Sequence, residues 1–218
     1  MKCGRTPSFD GLASGYERLE WSAFGGLLEA ARFGLLEGLT GCRRVLLLGD
    51  GDGRLLARLL SLNPEVRIVS VDQSMAMIAQ AQSRVSATDL PRVTWQQADA
   101  LVADFGPEKF DAVVTAFFLD CFSTSIAEAL MQKISAALTP SALWLQVDFG
   151  VPATGWARWQ AQLWLKTMYA FFRWQTGITA RALPELDKTF ADLGWKVVQQ
   201  RQYRKGFVTS RLYRHPVV

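Results

Sequence analysis

Glycines and carboxylates recur in this chain at the points where apolar runs give out. Val45-Leu46-Leu47-Leu48 runs into Gly49-Asp50-Gly51-Asp52-Gly53. Glycines at such a place let the backbone approach a ligand closely and leave main-chain donors free at the start of a helix. The spacing differs from the GxGxxG fingerprint of dinucleotide loops, because Gly53 falls one position early and Arg54 follows it. Asp72 ends the second run, where a carboxylate accepts both hydroxyls of a ribose. Asp99-Ala100 follows the third, where a carboxylate accepts a hydrogen bond from an adenine amino group. Thr115-Ala116-Phe117-Phe118-Leu119-Asp120 closes the fourth and opens toward the same end. Together these residues ask for a nucleoside ligand.

Other reactive side chains are few. His215 is the single histidine, which excludes a structural zinc site and any mechanism built on a central histidine. Cys3, Cys42 and Cys121 stand far apart in no CxxC pattern and read as reduced thiols. Asp120, Asp148 and Tyr16 are the candidate general bases. Each has a plainer reading, Asp120 as a helix-start carboxylate and Asp148 as a strand-end contact with solvent.

Strands must hold these groups. Val45–Leu48 is apolar throughout, as a strand covered on both faces is, and Val66–Val71, Val93–Gln97, Phe110–Ala116 and Ala142–Val147 repeat the rhythm as further strands. Helices fall between them: Leu55–Leu60 up to Asn63-Pro64, a helix from the cap Ser74 to about Val85, and one from a capping box at Ser125–Glu128 to Pro140. Pro184 and Gly194 bracket a further helix. Trp195–Gln202 and Phe207–Tyr213, joined by Arg204-Lys205-Gly206, are two strands that must pair antiparallel. The expected fold is α/β, a doubly wound seven-stranded sheet with a terminal antiparallel hairpin.

The 218 residues suit a single domain, residues 1–218, opened by amphipathic helices over 8–40 and carrying a helical insertion at 154–178. Half the residues are hydrophobic and a fifth charged, as in globular proteins. The polar start resembles no secretory signal, and no segment reaches the roughly 20 apolar residues that span a bilayer, so a cytoplasmic location is expected. The net charge of +4 is local: six basic residues and no acidic one follow Asp192. They read either as a solvated strand edge or as a patch for an anionic partner. In the insertion, Trp156, Trp159, Leu163, Thr167, Phe171 and Trp174 form one helical stripe, opposed by Arg158, Gln162, Lys166 and Arg173. That stripe either roofs an acceptor pocket toward Phe117 and Phe118, packs on the core, or touches a membrane surface peripherally.

Val45 to Gly53, Val71-Asp72-Gln73-Ser74 with Met77, Gln97-Ala98-Asp99-Ala100 and Phe110 to Val114 resemble, in order and spacing, the successive motifs of class I S-adenosylmethionine-dependent methyltransferases. The resemblance runs from about Arg44 to Asp148. It implies the Rossmann-like methyltransferase fold and S-adenosyl-L-methionine as cofactor. By the same resemblance Gly49, Gly51 and Gly53 surround the methionine moiety, Asp72 holds the ribose, and Gln73, Met77, Asp99 and Ala100 meet adenine. Thr115 and Phe117 border the cofactor at the end of the fourth motif. Family members usually carry an acidic residue at the position of Leu47, so Asp50 and Asp52 become the candidates to set negative charge near the sulfonium. Phe9-Asp10, Leu12-Ala13, Tyr16 and Phe24-Gly25 are similar to the opening of ubiquinone/menaquinone C-methyltransferases, where such a tyrosine lies on a lid helix. Cys121 lacks the adjacent proline of the RNA C5-methyltransferase nucleophile, and the paired prolines and aromatic of base N-methyltransferases are absent after the fourth strand. Nucleic acid is therefore a disfavoured partner. The resemblance implies methyl transfer to carbon or oxygen of a small aromatic or lipophilic acceptor. Leu47 keeps a second reading open, a non-catalytic methyltransferase-like binding or regulatory protein.

Overall fold

A computed structural model describes residues 16–106, 109–152, 154–176 and 182–215. Strands β1 (Arg44–Leu48), β2 (Arg67–Asp72), β3 (Val93–Gln97), β4 (Phe110–Ala116), β5 (Leu138–Phe149), β6 (Lys196–Tyr203) and β7 (Val208–Arg214) form one sheet in the order β3-β2-β1-β4-β5-β7-β6. The first five are parallel, and β7 runs antiparallel to both β5 and β6. Leu48 lies level with Val71 on one side and Thr115 on the other, so the loops after β1, β2 and β4 emerge together. The strand order reverses between β1 and β4, the place where open α/β sheets bind ligands.

The helices are α1 (Tyr16–Phe24), α2 (Leu27–Phe33), α3 (Arg54–Leu62), α4 (Met75–Arg84), α5 (Thr124–Ala136), α6 (Gly155–Thr176) and α7 (Leu186–Asp192). Residues of one strand alternate between two cores. Val45, Leu47 and Val114 pack with α2, α3 and α6 on one face, while Leu46, Leu48, Val113 and Trp144 pack with α5 and α7 on the other. Ser74 caps α4 as its position implies, its Oγ accepting from the Met77 N–H at 3.2 Å.

Four expectations need correction. The amphipathic stretch from Phe24 to Leu39 is broken: Gly25 turns at φ 58°, α2 ends at Phe33, and a 3-10 turn covers Leu36–Leu39. The hairpin takes up two of the carbonyls near the end of α2, Tyr203 Oη donating to Ala30 O and Ser210 Oγ to Ala31 O. The capping box at Ser125 does not form, since α5 starts at Thr124 with Ser123 at its N-cap. Pro140 does not end that helix but lies within β5, where the register jumps between the Phe110–Leu138 and Ala112–Leu143 pairs and Ser141 adopts φ 64°. A proline is tolerated there because the bulge leaves it no ladder hydrogen bond to donate.

The fourth concerns α6. The helix buries Ala161, Leu165 and Tyr169, spaced by four residues, and leaves Trp156 (68% exposed), Trp159 (54%) and Leu163 (52%) outward. The two outward indoles stack at 4.8 Å. The stripe read as a roof therefore lies on the solvent side, as far as Leu163 and Thr167; the side chains of Phe171 and Trp174, and Gly177, fall outside the described residues. The basic hairpin matches its plainer reading, because β6 is the sheet edge and is exposed from Lys196 to Gln202.

Candidate active site

The loop after β1 adopts left-handed φ at alternate residues, 63° at Gly49, 67° at Gly51 and 84° at Gly53. Only glycine accepts this without strain. A side chain at Gly53 would also strike α4, its Cβ coming within 2.6 Å of Ala81 Cβ, whereas one at Gly51 would point into open space. Thus Gly53 lets α3 and α4 close on each other, and Gly51 borders the cleft. The Phe118 ring lies directly over Gly49.

Of the residues expected to bind cofactor, the fold gathers Gly49, Gly51, Asp72, Gln73, Met77, Asp99, Ala100 and Phe117 around one cleft. Asp72 Oδ1 accepts from the Ser74 N–H at 2.8 Å, and Asp99 Oδ1 from the Leu101 N–H at 2.9 Å, so both carboxylates are aimed by their own turns. Phe117 holds φ 53°, unusual for an aromatic residue, and its ring lies between Phe149 and the Arg32 guanidinium, each 5.0 Å away. The cleft also takes in Val71, Ala98, Phe118, Cys121 and Phe122, which sequence reasoning did not assign to the cofactor. With Phe118 over Gly49 it measures about 90 Å³. Small-molecule sites run to about 300–1,000 Å³, so the cleft with the Phe118 ring over the loop is smaller than such a site.

Three expected residues, Thr115, Gly53 and Asp50, do not line the cleft. Thr115 is fully buried and its hydroxyl accepts from Trp144 Nε1 at 2.9 Å, a use inside the sheet rather than toward a ligand. Gly53 shapes the loop from behind. Tyr16 opens α1, and its side chain lies outside the described residues, as do Phe9-Asp10 and Leu12-Ala13. Asp50 sits under the loop: Oδ2 accepts from the Leu56 N–H at 3.1 Å, while Oδ1 is buried without a partner. Burial pushes its pKa up to about 7, assisted by the charges of Asp52 and Asp72 and opposed by Leu56 N–H and Arg32. Such a carboxylate gains from a cation placed beside it. Leu47 is fully buried among aliphatic side chains.

Asp52 is not available for that task, because it is held by Arg54 at 3.0 Å and Arg84 at 3.1 Å. Arg54 in turn reaches Glu20 at 2.9 Å and Glu29 at 3.2 Å, and Glu20 grips Arg32 through both oxygens at 2.6 and 2.7 Å. Burial works against the Glu20 carboxylate, but Arg32 and Arg54 outweigh it and hold its pKa below the ordinary value. This network pins α1 and α2 onto the start of α3, fixing the N-terminal helices beside the glycine loop. Apart from the neighbouring Asp52–Arg54 pair, the partners are 12 to 34 apart in sequence, and no local pattern announces them.

Asp120 stands in the first turn of the 3-10 helix Leu119–Cys121, as its plainer reading has it, but is buried (4% exposed), and Asp148 (2% exposed) lacks the solvent contact that its plainer reading implies. Burial raises the pKa of both, and the Asp120 charge raises Asp148 further. Cys121 lines the cleft, yet burial and the two aspartates push its thiol up, which makes it a poor nucleophile. Among the described residues no group of side chains could hold a metal ion.

Residues 45–141 match the family described as methyltransferase domain. A 2-phytyl-1,4-naphtoquinone methyltransferase of Thermosynechococcus vestitus is 30% identical over 122 residues, which make up 54% of this chain and 52% of that one. The chain thus spans about half the length of that relative. Among solved structures, an O-methyltransferase family protein from Burkholderia thailandensis superposes with a TM-score of 0.72 at 17% identity, over 95% of this chain and 59% of that one. Human N-acetylserotonin methyltransferase in complex with S-adenosylmethionine gives 0.67 at 16%, over 95% and 57%. The N-methyltransferase NodS from Bradyrhizobium japonicum WM9 in complex with S-adenosyl-L-homocysteine gives 0.64 at 18%, over 95% and 100%. Residues 45–141 thus match a methyltransferase domain in sequence, and nearly the whole chain shares the fold of these methyltransferases.

Proposed function

We propose that the protein transfers a methyl group from S-adenosylmethionine to carbon or oxygen of a small aromatic or lipophilic acceptor in the cytoplasm. What carries this reading is the convergence of Gly49, Gly51, Asp72, Gln73, Met77, Asp99 and Ala100 on one cleft at the carboxyl ends of β1 to β3. When bound, the cofactor supplies a methyl group already activated by its sulfonium. The chain then has to bind, orient and exclude water. Asp72 receives the ribose hydroxyls, Asp99 the adenine amino group, and the orphaned Oδ1 of Asp50 offers negative charge beneath the loop. Phe117, Phe118 and Phe122 form the apolar border toward the acceptor.

Thermal unfolding with S-adenosylhomocysteine, S-adenosylmethionine and NADH in parallel tests the cofactor. At about 100 times its dissociation constant a ligand adds about 2.7 kcal/mol, which raises the midpoint by several degrees. Both adenosyl compounds should do so, NADH should not, and Asp72→Ala should abolish the shift. A protein that none of the three stabilises would refute the assignment. It would favour the non-catalytic reading, to which the fully buried Leu47 lends support.

A second reading rests on α6, which contains no acidic residue and turns Trp156, Trp159 and Leu163 outward beside Arg158 and Lys166. Among the described residues no helix is long and apolar enough to cross a membrane, so this face would touch a bilayer surface peripherally. Sedimentation with phosphatidylglycerol and phosphatidylcholine vesicles separates the cases. Binding to the anionic vesicles that Trp159→Asp removes supports contact, and recovery of all the protein in the supernatant refutes it.

A further inference from the structure

A second cavity, of about 590 Å³, lies beside the cofactor cleft and is large enough for a small molecule. The two spaces share the 3-10 turn Leu119–Cys121: Cys121 lines the cleft, and Asp120 lines the cavity. The inner wall is Asp120, Gln146 and Asp148. Gln146 and Asp148 are two residues apart on one face of β5, and each is 2% exposed. Gln146 Nε2 donates to Asp148 Oδ2 at 2.8 Å. That bond leaves Gln146 Oε1 and Asp148 Oδ1 buried with no partner. The N–H groups of Asp120 and Phe118 favour the Asp148 anion but make no hydrogen bond to Oδ1.

Buried acceptors without donors are rare in folded proteins, and two of them on one cavity wall mark a place where a ligand brings the donor. Only an O–H or N–H group satisfies them. Lys188, Lys205 and Arg211 line the cavity together with Glu185 and Asp187. Arg211 pairs with Asp187 and Lys188 with Asp192, so the rim carries both signs, and the choice of a hydroxyl follows from the carbon- or oxygen-methylating reading above.

We propose that Asp148 Oδ1 and Gln146 Oε1 receive the hydroxyl group of a phenolic or enolic acceptor seated in this cavity, and that Asp148 takes its proton. The inference rests on the methyltransferase reading above. The acceptor O–H bond breaks and its proton passes to Asp148. The freed electron pair forms the new bond from oxygen, or from the ring carbon conjugated to it, to the methyl carbon. The methyl–sulfur pair stays on sulfur, which ends as a neutral thioether. Asp120 is the positioning residue: its nearby charge disfavours a second anion and makes Asp148 a stronger base than an isolated carboxylate. The other groups around the pair are the Cys121 thiol, Tyr169 of α6, whose hydroxyl donates to Asp120 O at 3.0 Å, and Arg211 of β7, engaged by Asp187. Lys188 and Lys205 stand at the cavity wall.

The test measures binding of 1-naphthol, 1-methoxynaphthalene and 1-naphthylmethylamine to the protein saturated with S-adenosylhomocysteine. The hydroxyl compound should bind about 10- to 100-fold more tightly than its methyl ether and more tightly than the amine, and Asp148→Asn should erase the preference. Affinity of the wild type for 1-naphthol should rise with pH as the aspartate pair sheds its proton, and Asp148→Asn should be flat. Asp120→Asn should keep the preference and move the rise to lower pH. If Asp148→Asn no longer binds S-adenosylhomocysteine, Gln146→Leu decides, since it removes one acceptor and should cut the preference alone. Equal affinity for naphthol and its ether, preference for the amine, or a preference that survives both variants overturns the proposal. Failure of the wild type to bind S-adenosylhomocysteine would instead overturn the methyltransferase reading.

Discussion

Replacing Asp50 by asparagine should stabilise the ligand-free protein above neutral pH and weaken its hold on the cofactor. The Asp50 carboxyl is buried with Oδ1 unpaired, and its pKa is raised from 3.8 to about 7. In the unfolded chain it ionises near 3.8, so between those values the folded protein binds an additional proton. Stability is then greatest below the unfolded pKa, declines as pH rises toward 7, and stays at its lowest above that. A shift of roughly 3 units corresponds to about 4 kcal/mol as an upper figure, at about 1.36 kcal/mol per unit. Asparagine keeps an acceptor for the Leu56 N–H and carries no charge, so Asp50→Asn should recover about 2–4 kcal/mol at pH 8. For a chain of this length that is roughly 4–16 °C in Tm. Thermal unfolding of both proteins at pH 5 and pH 8 without ligand measures it, with the difference largest at pH 8 and roughly a third to a half as large at pH 5, which lies about 1.2 units above the unfolded pKa. Calorimetric titration should show S-adenosylmethionine binding fall by about 10- to 100-fold in Asp50→Asn, because a cationic ligand loses its counter-charge. In the wild type the same affinity should increase with pH through about 7, with proton release on binding. A variant less stable than wild type at pH 8, or one with the same pH slope, would refute the account of a carboxylate held in reserve for a cation.

Gly53→Ala should cost about 2–5 kcal/mol in urea unfolding, combining a φ of 84° with overlap against Ala81, and should abolish the S-adenosylhomocysteine shift. A fully stable Gly53→Ala protein would show that α3 and α4 can separate without loss. Glu20→Ala should cost about 3–5 kcal/mol by removing both carboxylate bonds of the buried Arg32 and one partner of Arg54, and the double variant Glu20→Leu with Arg32→Met should regain much of it. If the single variant is neutral in denaturant titration, the network does not fasten α1 and α2 to α3.

The elements that place the cofactor cleft were the most legible. β3 and β4 run from Val93 to Gln97 and from Phe110 to Ala116, as their residue patterns imply: β4 is a central strand with six of its seven residues buried, whereas β3 is a sheet edge that buries only Val93 and carries polar residues. Ser74 and Asp72 act through bonds two or three residues long, so their geometry is local and readable. Helical spacing likewise revealed that α6 has stripes, but not which one faces inward. That depends on what lies opposite: Ala161, Leu165 and Tyr169 fit the core face of the sheet, and Tyr169 finds the Asp120 carbonyl 49 residues away.

What the sequence by itself determined is the sheet, its glycine loop, and a set of carboxylates at the ends of its strands. These follow from periodicity and turn chemistry within a few residues. Only the tertiary structure decided which carboxylates are free to act. Asp52 is engaged by Arg54 and Arg84, Asp50 keeps an unpaired oxygen, and Asp120 and Asp148 share a buried cavity wall. The physical reason is that ionisation and hydrogen-bond satisfaction depend on burial and on distant partners, which are properties of packing and not of neighbours along the chain.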